Sequence, residues 1–258
     1  MIDTHCHLGL CERPAAELVA DAGRVGLRRM LSVGIDEAGS EEAIATAEEH
    51  SEVYACVGRH PNGTTGFDDA AAGRIEELAA DPRVAAVGET GLDYYRDRAP
   101  RADQHRAFRA HIEIARRVEK PLVIHVRDGG QTTDGEALEQ TFETLRAEAT
   151  GVTVVLHCFS APAERALQAA ERGWYCSFAG NVTYPKSQAL RDAASEVSEG
   201  LLLVETDAPF LSPQPIRGRP NEPANVVATA EHLAEVRGVS YPQLEATVEA
   251  NAARVFGW

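Results

Sequence analysis

The 258-residue sequence predicts an α/β fold and, within that class, a (β/α)8 TIM barrel. Eight short β-like runs alternate along the chain with alanine-rich stretches of helical spacing. This alternation is typical of parallel strands joined by helices. The length agrees, because eight such units close into a barrel of about 250 residues. Histidine, glutamate and aspartate also recur at the C-terminal ends of the predicted strands, where barrels carry their functional groups.

The strand candidates are short runs, each followed by a turn or a helix-like stretch. They are Met1–His7, Leu27–Gly34, Val53–Gly58, Val84–Glu89, Leu122–Val126, Val152–Cys158, Trp174–Ala179 and Leu201–Thr206. An open, doubly wound sheet is the alternative arrangement. It predicts a glycine-rich phosphate turn after the first strand, and the sequence has none there. The closed barrel is therefore favoured.

Helix candidates lie between these strands, and two more follow the eighth. They are Ala15–Val25, Glu41–His50, Ala70–Ala80, Asp103–Val118, Gly135–Ala147, Ala163–Arg172, Lys186–Val197, Pro223–Arg237 and Tyr241–Phe256. The Pro/Gly-rich segment Pro209–Pro223 is the one long loop, and its composition is typical of an irregular active-site loop. No segment resembles a linker, so we predict a single domain over residues 1–258.

Composition limits the possible functions. Hydrophobic residues make up 44% of the chain, which is typical of a globular protein. No apolar run approaches the roughly 18 residues of a membrane helix, and no secretory signal is visible, so we expect a cytoplasmic protein without membrane contact. The five cysteines form no CxxC pair, and we interpret Cys6, Cys56, Cys158 and Cys176 as buried apolar residues.

The formal net charge of −15 argues against a module that coats nucleic acid, because such binding depends on an excess of Lys and Arg. Metal ions supply positive charge that the sequence total does not count, so a phosphodiester substrate remains compatible with an acidic chain. The sequence does not determine the oligomeric state and is compatible with a monomer.

Six side chains of the types that bind metals fall at the ends of five different predicted strands. They are His5, His7, Glu89, His125, His157 and Asp207. Burying six such groups without partners would cost several kcal/mol in total, so a purely structural role explains them poorly. In a barrel these strand ends meet at one mouth. The pattern therefore predicts a metal site there.

Alternation of side chains along a strand orders the residues around this site. His5 and His7 share the face that points into the barrel mouth, whereas Cys6 points outward. Asp3 lies one layer deeper on the same face, as a candidate acceptor that supports the histidines. Glu205 has the same relation to Asp207. The histidines at 50, 105, 111 and 232 lie in helix-like stretches and are interpreted as structural.

Histidines combined with two carboxylates favour divalent transition ions over an all-oxygen site. The ligands exceed the needs of one ion with an open position, whereas two ions about 3.5–4 Å apart, bridged by one carboxylate, use them all. Such a pair lowers the pKa of a water toward about 7 and stabilises an oxyanion. Asp207 is the candidate to bind an ion and take the proton of the attacking water. The prediction is metal-dependent hydrolysis.

With these residues in place, the chain resembles the TatD family of metal-dependent hydrolases, within the amidohydrolase-like barrels. The motifs that carry the resemblance span the whole chain in order: DTHCHL at 3–8, GRHP at 58–61, GETGLDYY at 88–95, PLVIHVRD at 121–128, LHCFS at 156–160, ETDAPFL at 205–211 and RGRPNEPANV at 217–226. The resemblance implies a phosphodiesterase that acts on DNA, typically as a 3′–5′ exonuclease. It also implies two divalent ions per chain (Mg²⁺, Mn²⁺ or Zn²⁺), held at the six positions above with Glu89 as the bridge.

Other matched positions concern the substrate. The resemblance places His60 at the substrate phosphate, and a loop-capping imidazole is the alternative. Arg127 shares the face of His125 and is a candidate to hold a phosphate oxygen. Its alternative is an ion pair with Asp128 or Asp93. Tyr94, together with its neighbour at 95, is a candidate to stack on a base, and packing is the alternative.

Three departures from the family pattern, at Ala161, Pro220 and Gly129, fall in loops that shape the substrate pocket. Two other functions therefore stay open. A barrel hydrolase acting on a C–N or ester bond of a small molecule is the first. Many such enzymes bridge their ions with a carboxylated lysine, but neither Lys120 nor Lys186 ends a predicted strand. A non-catalytic metal-binding protein is the second, and it predicts ligands that saturate the ion.

Overall fold

The computed structural model describes residues 1–130 and 132–258. Eight parallel strands form one sheet in the order β1 to β8. They are β1 (Ile2–Cys6), β2 (Arg29–Val33), β3 (Val53–Val57), β4 (Val84–Asp93), β5 (Leu122–Arg127), β6 (Val154–Leu156), β7 (Tyr175–Phe178) and β8 (Leu202–Val204). Each strand lies where the sequence predicts one, so the predicted (β/α)8 barrel is confirmed.

The first and last strands approach each other and bring the sheet round toward closure. Cys6 forms a parallel bridge with Ala208, just beyond β8. His7 N donates to Ala208 O at 2.7 Å, and Asp207 N donates to His5 O at 2.9 Å. The backbone contacts that close the barrel thus place His5 and His7 directly beside Asp207.

Nine α-helices in the described ranges alternate with the strands or follow them. They are α1 (Ala15–Arg24), α2 (Glu37–Glu49), α3 (Asp69–Ala79), α4 (Arg101–Val118), α5 (Glu136–Glu148), α6 (Ala163–Glu171), α7 (Gln188–Glu196), α8 (Val226–Arg237) and α9 (Tyr241–Phe256). Their buried apolar faces pack on the outside of the strands and form one continuous core with them. Within residues 1–130 and 132–258, no helix combines the length and the apolar character needed to cross a membrane.

Strand β4 is longer than predicted. The prediction ended it at Glu89, whereas the strand continues to Asp93 and pairs with the outer half of β5. The sequence pattern does not reveal this extension, because glycine inside a strand weakens the strand signal. Gly91 is required there: its φ is +136°, and a Cβ atom would lie 2.1 Å from His125 O. Glu89 therefore lies inside the strand, and the strand carries a further carboxylate to the mouth.

The loop after β8 is held by its own side chains. Asn221 Nδ2 donates to Thr206 O at 2.9 Å and to Phe210 O at 2.7 Å. Short 3-10 turns at Gln214–Ile216 and Pro223–Asn225 complete the loop before α8. Its first residues therefore stay close to the end of β8, at the barrel mouth.

Candidate metal centre

The six predicted metal-binding side chains converge at the mouth of the barrel. His157 Nε2 lies 3.0 Å from Glu89 Oε2, and His125 Nδ1 lies 3.4 Å from the same oxygen. His7 Nε2 lies 3.7 Å from Glu89 Oε1 and 3.5 Å from Asp207 Oδ1. Glu89 therefore presents one oxygen to each of two groups of ligands.

His5 stands between these two groups. One group of mutually close atoms contains His5, Glu89 and His157, and another contains His5, His7 and Asp207. The separations within them include 3.3 Å between His5 Nε2 and His7 Nε2, and 3.9 Å between His5 Nε2 and Asp207 Oδ1. Donor atoms about 2.0–2.1 Å from a tetrahedral ion lie roughly 3.3 Å from one another. The spacing of these side chains is that of a ligand shell.

The tautomers of two histidines follow from their outer contacts. His7 Nδ1 lies 2.9 Å from Val33 O, and a carbonyl oxygen can only accept, so this nitrogen carries the proton. His157 Nδ1 likewise donates to Glu205 Oε1 at 3.1 Å. Each ring therefore directs the lone pair of its Nε2 into the centre. Metal-binding histidines are normally oriented in this way, by an acceptor behind the ring.

His125 is oriented by a carboxylate that the sequence pattern did not single out as a site residue. Its Nε2 donates to Asp93 Oδ2 at 3.3 Å, so the lone pair of Nδ1 faces the centre. Asp93 also accepts from Asn62 Nδ2 at 2.8 Å and from the backbone amides of Tyr95 and Arg96 at 3.0 and 2.8 Å. One buried carboxylate thus joins a candidate metal ligand to two loops of the mouth. The sequence did contain one signal that could have identified Asp93 as a site residue: it lies four residues after Glu89, on the same strand face.

These orientations leave lone pairs facing each other. His125 Nδ1 and His157 Nε2 are 3.3 Å apart, and neither can donate to the other while its outer nitrogen holds the proton. Glu89 Oε2 is buried and has no hydrogen-bond partner within residues 1–130 and 132–258. Facing lone pairs and an unpaired carboxylate oxygen are stabilised by a cation between them. The residues therefore fit a divalent metal ion, and Glu89 directs its other oxygen toward His7.

The electrostatics of the centre agree with this fit. Burial lowers the pKa of His157, but the carboxylates of Glu205 and Glu89 raise it well above its usual range. Burial raises the pKa of Glu89, but the imidazoles of His60, His125 and His157 lower it well below its usual range. The centre therefore favours positive charge, which is carried either by protons on the imidazoles or by metal ions that displace them.

Asp207 is held in an unusual backbone conformation. Its φ is +54°, in the left-handed region that residues other than glycine rarely occupy. Its amide donates to His5 O, and its carbonyl accepts from Phe210 N at 2.8 Å, so the backbone is fixed on both sides. The side chain is 14% exposed, against 3% for Glu89. Local strain of this kind is typical of functional positions, and here it directs a carboxylate toward the cavity.

The structure revises the role expected of Asp3. Its carboxylate accepts from His5 N at 3.2 Å, from Thr206 N at 2.9 Å and from Thr206 Oγ1 at 2.6 Å. These contacts join β1 to the residue before Asp207, so Asp3 supports the backbone and not the imidazole rings. Burial raises its pKa to about 8. Glu205, by contrast, directly contacts the His157 ring.

His60 lies beside the centre and presents a donor to it. Its Nδ1 accepts from Asn62 N at 3.0 Å, so the proton of the neutral ring is on Nε2, 4.0 Å from Glu89 Oε1. Burial lowers the pKa of His60 to about 4, which keeps the ring neutral near pH 7. His60, Asp93 and His125 also lie close enough together to suggest another metal group. The tautomers of both rings oppose this, because neither has a free lone pair directed toward that group.

Arg127 lies at the mouth, and neither alternative ion pair occurs. Its guanidinium lies 4.0 Å from the centroid of the Tyr95 ring. The Asp128 carboxylate instead accepts from the amides of Ala137 and Leu138 at the start of α5. Asp93 is occupied by His125 and its loop contacts. Arg127 is therefore an exposed cation at the mouth.

The expectation for Tyr94 needs correction. Its side chain is only 6% exposed and belongs to the core. Its hydroxyl contacts His105 Nε2 at 3.0 Å and donates to Gln140 Oε1 at 2.5 Å, and Arg101 lies over its ring. Tyr95, which is 50% exposed, lines the cavity instead. Adjacent residues at a strand end face opposite ways, and the core takes the first ring.

An open cavity of about 1270 Å³ lies above the centre. His7, Glu89, His125, His157 and Asp207 form part of its wall. Cys158, which was expected to be buried, is partly exposed and also lines it. Phe210 and Leu10 also line it, and the sequence pattern did not single them out as site residues. A buried group of candidate ligands below an open cavity leaves room for substrate and water.

Fold and site together define a metal-dependent hydrolase of the amidohydrolase-like barrel class. The site is a histidine-rich centre in which the Glu89 carboxylate lies among the imidazoles and the Asp207 carboxylate faces the cavity. The fold is similar to the crystal structure of YjjV, a TatD homologue from Escherichia coli, with a TM-score of 0.89. The match covers 100% of this chain and 98% of YjjV at 24% sequence identity, and at that identity the likeness shows the fold alone.

The chain belongs to the TatD family. The family model described as TatD related DNase matches residues 2–257. An uncharacterized metal-dependent hydrolase, YabD of Bacillus subtilis, is 34% identical over 259 residues, covering 99% of this chain and 98% of the relative. One named TatD in Mycobacterium tuberculosis is 37% identical over 268 residues, covering 100% and 98%. A 3′-5′ ssDNA/RNA exonuclease TatD of Cronobacter sakazakii is 32% identical over 245 residues, covering 93% and 90%.

Proposed function

We propose that this metal-dependent hydrolase is a two-metal phosphodiesterase that degrades DNA, as a 3′–5′ exonuclease. The observation that carries the proposal is the position of Glu89 beneath an open cavity: its Oε2 lies close to His125 and His157, and its Oε1 lies close to His7. Two-metal centres of this kind suit the displacement of an alkoxide from a phosphodiester. The exonuclease relative from Cronobacter sakazakii supports the choice of a nucleic acid substrate.

The chain would hold one ion with His5, His7 and Asp207 and the other with His125 and His157, with Glu89 between them. When bound, the ions supply Lewis-acid stabilisation of phosphate oxygens and lower the pKa of an attacking water. Asp207 is placed to take the proton of that water, because its carboxylate is the more exposed of the two in the centre.

His60 and Arg127 complete the contacts expected for the substrate. The neutral His60 ring directs its Nε2–H toward the centre, where it can donate to a phosphate oxygen. Arg127, exposed and free of the alternative ion pairs with Asp128 and Asp93, presents a positive charge at the mouth. Both groups act on the ground-state phosphate and on the charge that develops during hydrolysis.

The test uses purified protein supplied with Mg²⁺, Mn²⁺ or Zn²⁺ and single-stranded DNA with a free 3′ end. We expect progressive shortening from that end. Glu89→Ala and Asp207→Asn should lower the rate at least about 10³-fold, since each removes a group that acts on the transition state. Glu143→Ala, on the exposed face of α5, is the matched control and should retain the wild-type rate.

Two outcomes would contradict the proposal in different ways. Metal-loaded protein that leaves DNA and RNA intact but hydrolyses amides or carboxylic esters would identify the small-molecule hydrolase instead. Retention of two ions per chain by Glu89→Ala, measured by elemental analysis, would remove Glu89 as the bridge while leaving the reaction class open to the activity assay.

A further inference from the structure

Exposed apolar side chains are concentrated at the cavity mouth. Six large hydrophobic residues in the described ranges are well exposed, and three of them line this cavity: Leu10, Tyr95 and Phe210, at 45%, 50% and 52%. Single exposed apolar residues need no explanation, but a group around a functional cavity indicates a binding surface. The other three, Val25, Leu167 and Val239, lie outside the cavity wall.

Three unpaired arginines lie at the same mouth. Several arginines on the outer helices pair with carboxylates, as Arg74 does with Glu41 and Arg117 with Glu76. Three exposed arginines that line the cavity form no ion pair with any residue in 1–130 or 132–258: Arg96, Arg98 and Arg127. In a chain of net charge −15, such a group points to an anionic ligand.

Leu10 and Phe210 lie on the opposite side of the mouth from the three arginines and Tyr95. Tyr95, Arg96 and Arg98 follow β4, and Arg127 ends β5. Leu10 follows β1 and Phe210 follows β8, and in a sheet ordered β1 to β8 these strands lie across the barrel from β4 and β5. A ligand that spans the mouth therefore meets charge on one side and an apolar surface on the other.

The two exposed aromatic rings differ in what already covers them. The Arg127 guanidinium lies 4.0 Å from the centroid of Tyr95 and occupies one face of that ring. Among the aromatic rings of residues 1–130 and 132–258, Phe210 meets only that of His7, edge-on, at a centroid distance of 6.1 Å and an interplanar angle of 71°. Among the described residues, no cation lies over Phe210. Phe210 is thus the ring that offers a face to a ligand, and it does so next to a candidate metal ligand.

We propose that the mouth binds the end of a single-stranded nucleic acid, with the terminal base stacked on Phe210 and the following phosphates held by Arg96 and Arg98. The inference rests on the proposed function, because it places the terminal phosphodiester at the metal centre. Stacking of bases on aromatic side chains, together with positive side chains that follow the backbone, is the usual mode of single-strand binding. A base-paired end would have to bring its complementary strand into the mouth as well.

The stacking contact is tested by equilibrium binding, in the Asp207→Asn background with Mg²⁺, so that the probe stays intact. The probe is single-stranded DNA that carries 2-aminopurine at its 3′ end. We expect Phe210→Ala to bind at least about fivefold more weakly, because one stacked base contributes that factor or more. Phe210→Tyr should bind like the parent, and Leu167→Ala, an exposed apolar residue away from the cavity, should have no effect.

A probe with a 3′-terminal abasic nucleotide separates stacking from a structural effect. Without a terminal base, the parent and Phe210→Ala should bind with the same affinity. An equal loss on both probes would show that Phe210→Ala acts through the loop and would overturn the stacking contact. The fluorescence of the 3′ 2-aminopurine, which responds to stacking, should change on binding to the parent and not to Phe210→Ala.

The phosphate contacts are tested by the salt dependence of the same binding. Replacing both Arg96 and Arg98 by alanine should reduce the slope of log affinity against log salt by about 1.4, since each single-strand phosphate contact contributes about 0.7. Arg172→Ala removes an exposed arginine outside the cavity wall and should leave the slope unchanged. Wild-type affinity and slope in the double variant would overturn the phosphate contacts.

These results distinguish this inference from the proposed function. Binding that depends on Phe210 and the arginines, without hydrolysis by the wild type, would support the surface and overturn the exonuclease. Hydrolysis unaffected by Phe210→Ala would support the exonuclease and overturn the surface. Equal or tighter binding of a blunt duplex would overturn the single-strand preference.

Discussion

The metal centre has two walls, one formed by His5 and His7 and the other by His125 and His157, and the outer nitrogens of their rings have different partners. His5 lies on β1 and His7 directly follows it, and the outer nitrogen of His7 donates to a neutral backbone carbonyl, Val33 O. His125 and His157 come from neighbouring strands, and their outer nitrogens donate to the carboxylates of Asp93 and Glu205. His5 Nδ1 is buried without a partner among residues 1–130 and 132–258.

The first wall therefore has a backbone carbonyl behind one of its rings, whereas the second has a carboxylate behind each ring. A carboxylate behind an imidazole raises the basicity of the nitrogen that binds the metal, whereas a carbonyl mainly fixes the orientation. The wall formed by His125 and His157 should therefore bind its ion more tightly. It should also be the wall that substitutions behind the ligands can weaken without touching the ligands themselves.

The largest effect is expected for Glu205→Ala. It removes the acceptor of both His157 Nδ1 and Cys158 N, which contact Glu205 Oε1 at 3.1 and 2.9 Å in a fully buried setting. We expect metal affinity to fall about 100-fold. Competition titration against a chelator measures it, and the ion held by His5 and His7 should be retained. Unchanged affinity would mean that the two walls do not differ in the way described.

A smaller effect is expected for Asp93→Asn. The amide keeps an acceptor for His125 Nε2 but removes the charge, so metal affinity should fall about tenfold. Asp93→Ala should lower metal affinity further. It should also raise KM, because Asn62 and the amides of Tyr95 and Arg96 lose their acceptor. Calorimetric titration with metal and steady-state kinetics measure the two changes. If Asn and Ala have the same effect, the charge of Asp93 is irrelevant.

The smallest effect is expected for Thr206→Val, behind the first wall. It removes a hydroxyl that donates to the buried Asp3 carboxylate at 2.6 Å and accepts from Ala208 N at 3.2 Å. The free energy of unfolding should fall by about 1–3 kcal/mol. Metal affinity should change little, since Asp3 contacts backbone and not the imidazoles. Urea denaturation of the metal-free protein measures the free energy of unfolding. A large loss of metal affinity would contradict the role given to Asp3.

Much of this centre was predictable because its ligands follow regular strands. Alternation along β1 placed His5 and His7 on one face, and the apolar runs before His125, His157 and Asp207 marked where strands end. Asp93 was not singled out because the prediction stopped β4 at Glu89, where glycines weaken the strand pattern. Strand pairing with β5, a long-range contact, extends β4 to Asp93.

The choice between Tyr94 and Tyr95 shows a different limit of prediction from sequence. The two are adjacent and chemically identical, and only packing against α4 and α5 decides that Tyr94 is buried and Tyr95 faces the cavity. The sequence by itself determined the eight βα units and the ligand types at the strand ends, because these depend on local periodicity. The tertiary structure alone decided the tautomers, the carboxylates behind the rings and the two sides of the mouth, because each depends on contacts between residues distant in sequence.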